Sequence, residues 1–317
     1  MRGAGKMLQT DIHADDYALT VNTSKDILSC MRKGQLDSIS IVPNTSCFDE
    51  CMELLYASIP LLPFLPKMSV HLNFVEGRCL VGVGQAPLLT NAENGVMKLS
   101  WIGVFSLSYL PWKRHMAKLQ LKKEIKAQIK KVQVAVIHAM DIAKEYGIEC
   151  KQQEIRIDSH QHAHMIPVVW EALTEVIAEE KYKVEYIRNS KEMLSAFLLD
   201  VSLWRTYRPI NFVKNRLLSI YSHKADRYAK IHQMDQMYLW GLIMSGHMDY
   251  DRIVRLYPKI ALKADKDRRV LELLFHPGLM LAEELTEEID EKAAGDFYLR
   301  QNRHVEMEAV GKIKVKH

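Results

Sequence analysis

The chain has little of what marks the non-globular classes. Only 5 of its 317 residues are Cys, an odd count with no CxxC pair. That argues against a disulfide framework and a CxxC zinc knuckle, and it fits a reducing compartment. Cys30, Cys47, Cys51, Cys79 and Cys150 are read as small apolar groups, with Cys47 and Cys51 on one helix face. Nowhere do 18 apolar residues run together, so no membrane-spanning helix is expected. The start, MRGAGKMLQTDIHADDY, lacks the apolar stretch of a signal peptide, and the expected location is cytoplasmic. With 14 Gly and 10 Pro, collagen-like and low-complexity chains are excluded. Charge of one sign is scarce as well: 43 basic against 39 acidic residues leave +4, so no nucleic-acid partner is expected. The GxSxG elbow and the Gly-rich phosphate loop ending in GKS or GKT are missing. Gly82-Val83-Gly84 begins a dinucleotide-type turn, but Pro87 stands where its third glycine belongs.

What is present fits one large domain over residues 1–317, with 48% hydrophobic and 26% charged residues. Strand-like runs lie at Ser38–Val42, Met68–Phe74, Glu154–Ile157, Val184–Arg188 and Val270–Phe275, with another leading into His13-Ala14-Asp15-Asp16. Between them stand helical patterns. Lys113 to Tyr146 carries Ile125, Ile129, Val132 and Val136 on one face and a row of lysines on the other, read as a solvated surface. Trp170–Glu180 and the acidic Glu283–Lys292 are further helix candidates. Strands alternating with helices predict an α/β fold with a largely parallel sheet. Residues 190–250 are less regular and read as a helical insertion or lid.

The strand-like runs end in polar residues, and ligands in such folds bind at the C-terminal strand ends. Asp158-Ser159-His160-Gln161-His162-Ala163-His164 is the strongest local signal: three imidazoles at alternate positions beside a carboxylate. Such a set suits Zn, Mn, Fe or Ni. Asp15-Asp16 is the second signal. Adjacent side chains diverge, so one carboxylate could ligate an ion while the other accepts a proton from water. His71, in an apolar strand, and His276, before Pro277-Gly278, gain meaning only beside these two.

Four segments in this order, Ala14-Asp15-Asp16-Tyr17-Ala18-Leu19-Thr20, Val70-His71-Leu72-Asn73-Phe74-Val75-Glu76-Gly77, Ile157 to Pro167 through the histidine cluster, and Phe275-His276-Pro277-Gly278, resemble the YdjC-like family of carbohydrate deacetylases. Arg303 to Val310 is similar to the family's C-terminal helix. The resemblance implies a (β/α) barrel-like fold, one divalent metal ion (Mg or Zn first, then Mn, Co or Ni) and removal of acetyl groups from N-acetylated sugars or oligosaccharides. It makes Asp16, His71 and His160 the metal ligands, Asp15 the catalytic base and His276 a residue close to the site, as an acid or as partner to a carboxylate. It places His162 and His164 behind the ligands or against the sugar, and Arg188 along the pocket. The implied reaction is metal-assisted amide hydrolysis. Two positions depart from the family pattern: Ala18 stands where Gly is usual, and Tyr17 replaces Phe, adding a hydroxyl near the site. Another amide or ester substrate, or a sugar-binding relative without turnover, are the alternatives. A homodimer is the base-rate expectation.

Overall fold

The computed structural model describes residues 10–198, 201–206 and 209–313. Its centre is seven parallel strands: β1 (Thr10–Tyr17), β2 (Ser38–Ile41), β3 (Lys67–Leu72), β4 (Ile155–Ser159), β5 (Val184–Ile187), β6 (Met237–Trp240) and β7 (Val270–Phe275). Their order is β5-β4-β3-β2-β1-β7-β6. The sheet curls into a half-barrel with helices around it, the α/β barrel-like fold expected.

The helices are α1 (Val21–Arg32), α2 (Phe48–Ser58), α3 (Trp101–Ser106), α4 (Pro111–Glu145), α5 (Pro167–Glu179), α6 (Leu194–Leu198), α7 (Pro209–Ile231), α8 (Tyr250–Lys266), α9 (Glu291–Ala293) and α10 (Asn302–Lys312). Among the described residues, no helix is long and apolar enough to cross a membrane.

Strands alternate apolar and polar residues, yet both faces are buried. Ile12, Ala14, Ile39, Ile41, Met68, Val70, Ile157, Leu271 and Leu273 belong to the apolar core. The intervening residues Asp11, His13, Asp15, Ser38, Ser40, Ser69, His71, Arg156, Asp158 and Glu272 are equally buried. They meet across strands that are not neighbours: Ser40 of β2 reaches Asp158 of β4, Arg156 of β4 reaches Asp11 of β1, and Tyr186 of β5 reaches Glu272 of β7. Such contacts require the polar face to be the concave one. The period-2 pattern thus separates a polar interior from an apolar exterior that packs on the helices.

The curl is fastened between its edges. The Leu239 N–H donates to the Lys191 carbonyl at 2.9 Å, and the Glu192 carboxylate accepts the N–H groups of Gly241, Leu242 and Ile243 at 2.8–3.1 Å. β6 lies inside the stretch read as a helical insertion or lid. The helical part is α6 and α7, and Met237–Trp240 pairs in register with Val270–Leu273. Four residues are too short a run to stand out from the aromatic-rich sequence around them.

Three other expectations need adjusting. The lysine row of α4 is not simply solvated: Arg114, Lys118, Lys122 and Lys126 pair with Glu171, Glu175, Glu179 and Glu180 of α5. Glu283–Lys292 is not one helix, because its carboxylates serve other segments. Glu284 accepts the Asn22 N–H, and Glu288 accepts the Ser46 N–H and pairs with Arg78. The Tyr17 hydroxyl does not reach the site; it donates to the Cys51 carbonyl of α2 at 2.6 Å.

Candidate functional site

Register places the first pair. His71 on β3 sits beside Asp158 on β4. The His71 Nδ1–H donates to Asp158 Oδ1 at 2.6 Å, which leaves Nε2 facing Asp16 Oδ1 at 3.5 Å. His160 opens the turn after β4, and its Nδ1 lies 3.0 Å from Asp16 Oδ1. Its Nε2 meets the Tyr298 hydroxyl at 2.7 Å and Glu76 Oε2 at 3.3 Å. All three residues are buried, and their ligand atoms lie within 4.8 Å of one another.

The irregular end of β1, where its register with β2 shifts between Ala14 and Tyr17, and the turn that follows make this possible. Asp16 and Ala18 both take positive φ, 71° and 65°, which turns Asp16 away from Asp15. Asp16 Oδ2 accepts from the Arg303 guanidinium of α10 at 2.5 Å. Asp15 has a different holder: Arg188 donates both Nη groups to its two oxygens at 2.8 Å each. Arg188 also gives its Nε–H to Glu272 at 2.7 Å. Adjacent in sequence, the two aspartates are clamped by different arginines from well-separated parts of the chain.

Glu76 is delivered by a loop that α4 shapes. Asn73 Oδ1 accepts the N–H groups of Val75 and Glu76, and Gln128 brackets the Asn73 backbone. At Gly77, with φ +75°, a Cβ would stand 2.5 Å from the Asn44 carbonyl, so only glycine fits.

The charges follow from these contacts. Burial opposes ionisation of Asp15 and Asp16, but Arg188 with His71 and His13 around the first, and Arg303 with His160 and His71 around the second, together outweigh it and hold both carboxyls well below the usual range. Burial likewise works against protonated His71 and His160. Asp15, Asp158 and Asp16 nonetheless push His71 up to about 10, and Asp16 and Glu76 push His160 up to about 9. Without an ion, the two rings therefore hold protons that a cation would replace.

The donor set fits a divalent metal. Ligand atoms about 2.0–2.2 Å from a central ion lie roughly 3–3.5 Å apart in tetrahedral or octahedral geometry, and Asp16 Oδ1 stands 3.0 and 3.5 Å from the two imidazole nitrogens. Each imidazole has its other nitrogen bonded to an oxygen group, the arrangement that orients metal-binding histidines. A second group, His13, Asp15 and Asp158, is also close enough to hold an ion. Its atoms are instead engaged with Ser38, Ser40, Arg188 and His71.

The other predicted residues lie around this core. His164 is buried, with Nδ1 on the Ser159 hydroxyl at 2.5 Å and Nε2 on the Arg188 carbonyl at 2.8 Å. Burial lowers it to about 4, so it stays neutral. His162 takes φ 59° and meets the Ser190 hydroxyl through Nδ1 at 2.9 Å. Burial, reinforced by Lys214 and Arg188, keeps it well below its usual value. Arg188 is fully buried, with its donors on Asp15 and Glu272, so it stands behind the carboxylate rather than along an open pocket. His276 follows β7. Its N–H donates to Glu306, its Nδ1 lies 3.6 Å from the same carboxylate without a hydrogen bond, and its ring packs edge-on against Phe297. Among the described residues, no hydrogen bond or ion pair joins His276 to Asp16, His71 or His160. Phe297 in turn lies under Arg303, which holds Asp16.

Sequence reasoning left Glu76, Tyr298 and Arg303 without roles and took Asp158 only as the carboxylate beside the histidine cluster. Asp158 and Glu76 stand inside segments quoted for the resemblance, so their signal was present. Tyr298 has no such signal.

The fold has a solved counterpart. A crystal structure from Enterococcus faecalis V583, of a protein named provisionally for cellobiose-phosphate cleavage, aligns with a TM-score of 0.54 over 96% of each chain at 16% identity. No curated protein matches the chain. The family model described as YdjC-like protein matches residues 11–143 and 151–317, which contain every residue of the site. On that match, the chain belongs to the YdjC-like family.

Proposed function

We propose that the chain is a metal-dependent carbohydrate deacetylase, a hydrolase that removes acetyl groups from N-acetylated sugars or oligosaccharides. The observation that carries this reading is a buried Asp16–His71–His160 donor set with a separately clamped carboxylate, Asp15, next to it. The resemblance of the four segments to carbohydrate deacetylases supports the substrate class.

Asp16 Oδ1, His71 Nε2 and His160 Nδ1 would hold the ion. Two imidazoles and a carboxylate suit Zn, Mn, Co or Ni better than Mg, which prefers oxygen ligands. When bound, the ion supplies Lewis acidity to the acetyl carbonyl and makes water easier to deprotonate. Asp15 takes the proton of the attacking water; Arg188 fixes its orientation and keeps it ionised until then. As the new C–O bond forms and the amide C–N bond breaks, the sugar nitrogen needs a proton. His276, which follows β7 and keeps part of its side chain exposed, supplies it. His162 is the better sugar contact of the two remaining histidines, since both nitrogens of His164 are engaged.

The test is bound metal by mass spectrometry in the wild type and in His71→Ala and His160→Ala, followed by acetate release from N-acetylated oligosaccharides. One divalent ion per chain, lost in both variants, with metal-dependent acetate release is expected. A wild type that takes up no Zn, Mn or Mg, or a loaded enzyme that releases no acetate, overturns the proposal.

A further inference from the structure

Beneath the candidate site runs a chain of short hydrogen bonds that the reaction does not use. From His71 it passes to Asp158 at 2.6 Å, and Asp158 Oδ2 accepts from the Ser40 hydroxyl at 2.5 Å. Ser40 Oγ lies 2.6 Å from His13 Nε2, and His13 Nδ1 lies 2.6 Å from Ser38 Oγ. Ser38 in turn donates to Asp11 Oδ1 at 2.5 Å. All six residues are buried.

Counting protons settles the direction of each bond. A serine hydroxyl has one hydrogen. Ser38 spends its hydrogen on Asp11, and Ser40 spends its own on Asp158. Both acids are ionised, for Arg156 lies on Asp11, and Arg188 and His71 lie on Asp158. Each serine can then only accept from His13, so both ring nitrogens must donate. Asp15 agrees on the Nε2 side: its Oδ1 lies 3.2 Å from that nitrogen and, clamped by Arg188, also only accepts.

We propose that His13 is a positioning residue: a buried imidazolium whose two N–H groups hold Asp15, and through the serines Asp158 and Asp11, in one fixed arrangement. Four carboxylates face it, from Asp11 and Asp15 of β1, Asp158 of β4 and Glu272 of β7, with Nδ1 3.9 Å from Glu272. The nearby cations, Arg156, Arg188 and, in the metal-free protein, His71, are already shared among these acids. His13 supplies the remaining positive charge, and by fixing Asp158 it keeps the His71 Nδ1–H engaged and Nε2 turned to Asp16. Both serine protons are committed to carboxylates, so the chain has fixed polarity and orients rather than relays.

The consequence for the site rests on the proposed roles of Asp15 and His71; the protonation of His13 does not. The test therefore has two arms. Nitrogen-15 NMR of histidine-labelled, metal-free wild type should show a hydrogen on both ring nitrogens of His13, with the signals assigned by their loss in His13→Asn. One bare ring nitrogen overturns the proposal. In the second arm, zinc affinity of folded His13→Asn is measured directly. Loss of the carboxylate bonded to a metal-binding histidine weakens affinity about 10–100-fold; His13 acts on that carboxylate through Ser40, so a weakening below that ceiling but clear of the wild-type value is expected. A variant that folds and binds zinc like the wild type overturns the positioning role. If His13→Asn does not fold, Ser40→Ala, which cuts the same chain one bond closer to Asp158, takes its place with the same two outcomes. Absence of acetate release would refute the activity and leave both arms readable.

Discussion

Asp15 and Asp16 show how little a residue's identity says without its partners. The same side chain at consecutive positions is held by Arg188 in one case and by Arg303 in the other. Only Asp16 lies against both imidazoles at 3.0 and 3.5 Å. The separation yields a direct prediction. Asp15→Asn should keep one bound metal per chain while kcat falls about 10²–10⁴-fold, the usual contribution of a positioned base. Metal content and turnover measured on the same sample check it; loss of the ion would place Asp15 among the ligands. The pair, His71 and His160 were picked out in the sequence by the four segments that resemble the family; taken singly, neither the pair nor His71 stood out. Tyr298 was not picked out, and Arg303, though it opens the segment similar to the family's C-terminal helix, gave no sign of its partner. They come from the far end of the chain, and nothing local in Asp296-Phe297-Tyr298 announces contact with a residue at position 160.

At the scale of elements, the loop after β1 carries visible strain. Ala18 adopts φ 65°, a conformation that costs a residue with a Cβ roughly 1–2 kcal/mol. The loop tolerates it because Ala18 is tied on both sides: its N–H donates to Ser24 Oγ at 2.9 Å and its carbonyl accepts from Thr45 at 2.6 Å. Ala18→Gly relieves the strain but gives the unfolded chain more freedom, so a net gain of up to about 1 kcal/mol is expected. Chemical denaturation of both proteins checks it, and a destabilised glycine variant would show that Cβ burial wins. The ladder between α4 and α5 makes the opposite case, many contacts with little energy. Lys122 reaches both Glu175 and Glu179, yet Glu179 is exposed and Glu175 half-exposed, so both pairs are screened. Lys122→Gln should cost less than about 1 kcal/mol, measurable in the same denaturation series, and the cost should shrink further in high salt. Strand positions were readable from short apolar runs, except for four-residue β6. The meaning of their alternation was not. Ser38-Ile39-Ser40-Ile41 reads as a strand with one face in water, and only closure of the sheet shows that its serines face a buried ionic interior.

For the whole molecule, that interior links stability to the ion. In the metal-free protein His71 and His160, raised to about 10 and about 9, stabilise the fold through their charged forms. Their folded values lie above the ordinary histidine value of 6.5, so this contribution is complete below that pH. It is lost as pH rises through about 9 and about 10. Tenfold tighter proton binding is worth about 1.4 kcal/mol, so the two rings together contribute several kcal/mol. A divalent ion takes the place of the protons, and the loaded protein does not lose this contribution over the same window. Metal at about 100 times its Kd adds roughly 2.7 kcal/mol, and because proton release favours binding as pH rises, Kd itself falls. The gain in Tm on adding zinc should therefore widen steadily between about pH 7 and about pH 9. In His71→Ala and His160→Ala it should nearly vanish at every pH. Thermal melts of the three proteins with and without metal decide the matter: a gain independent of pH would mean that the rings bind the ion without giving up protons, and the charge assignment of the site would have to be reversed.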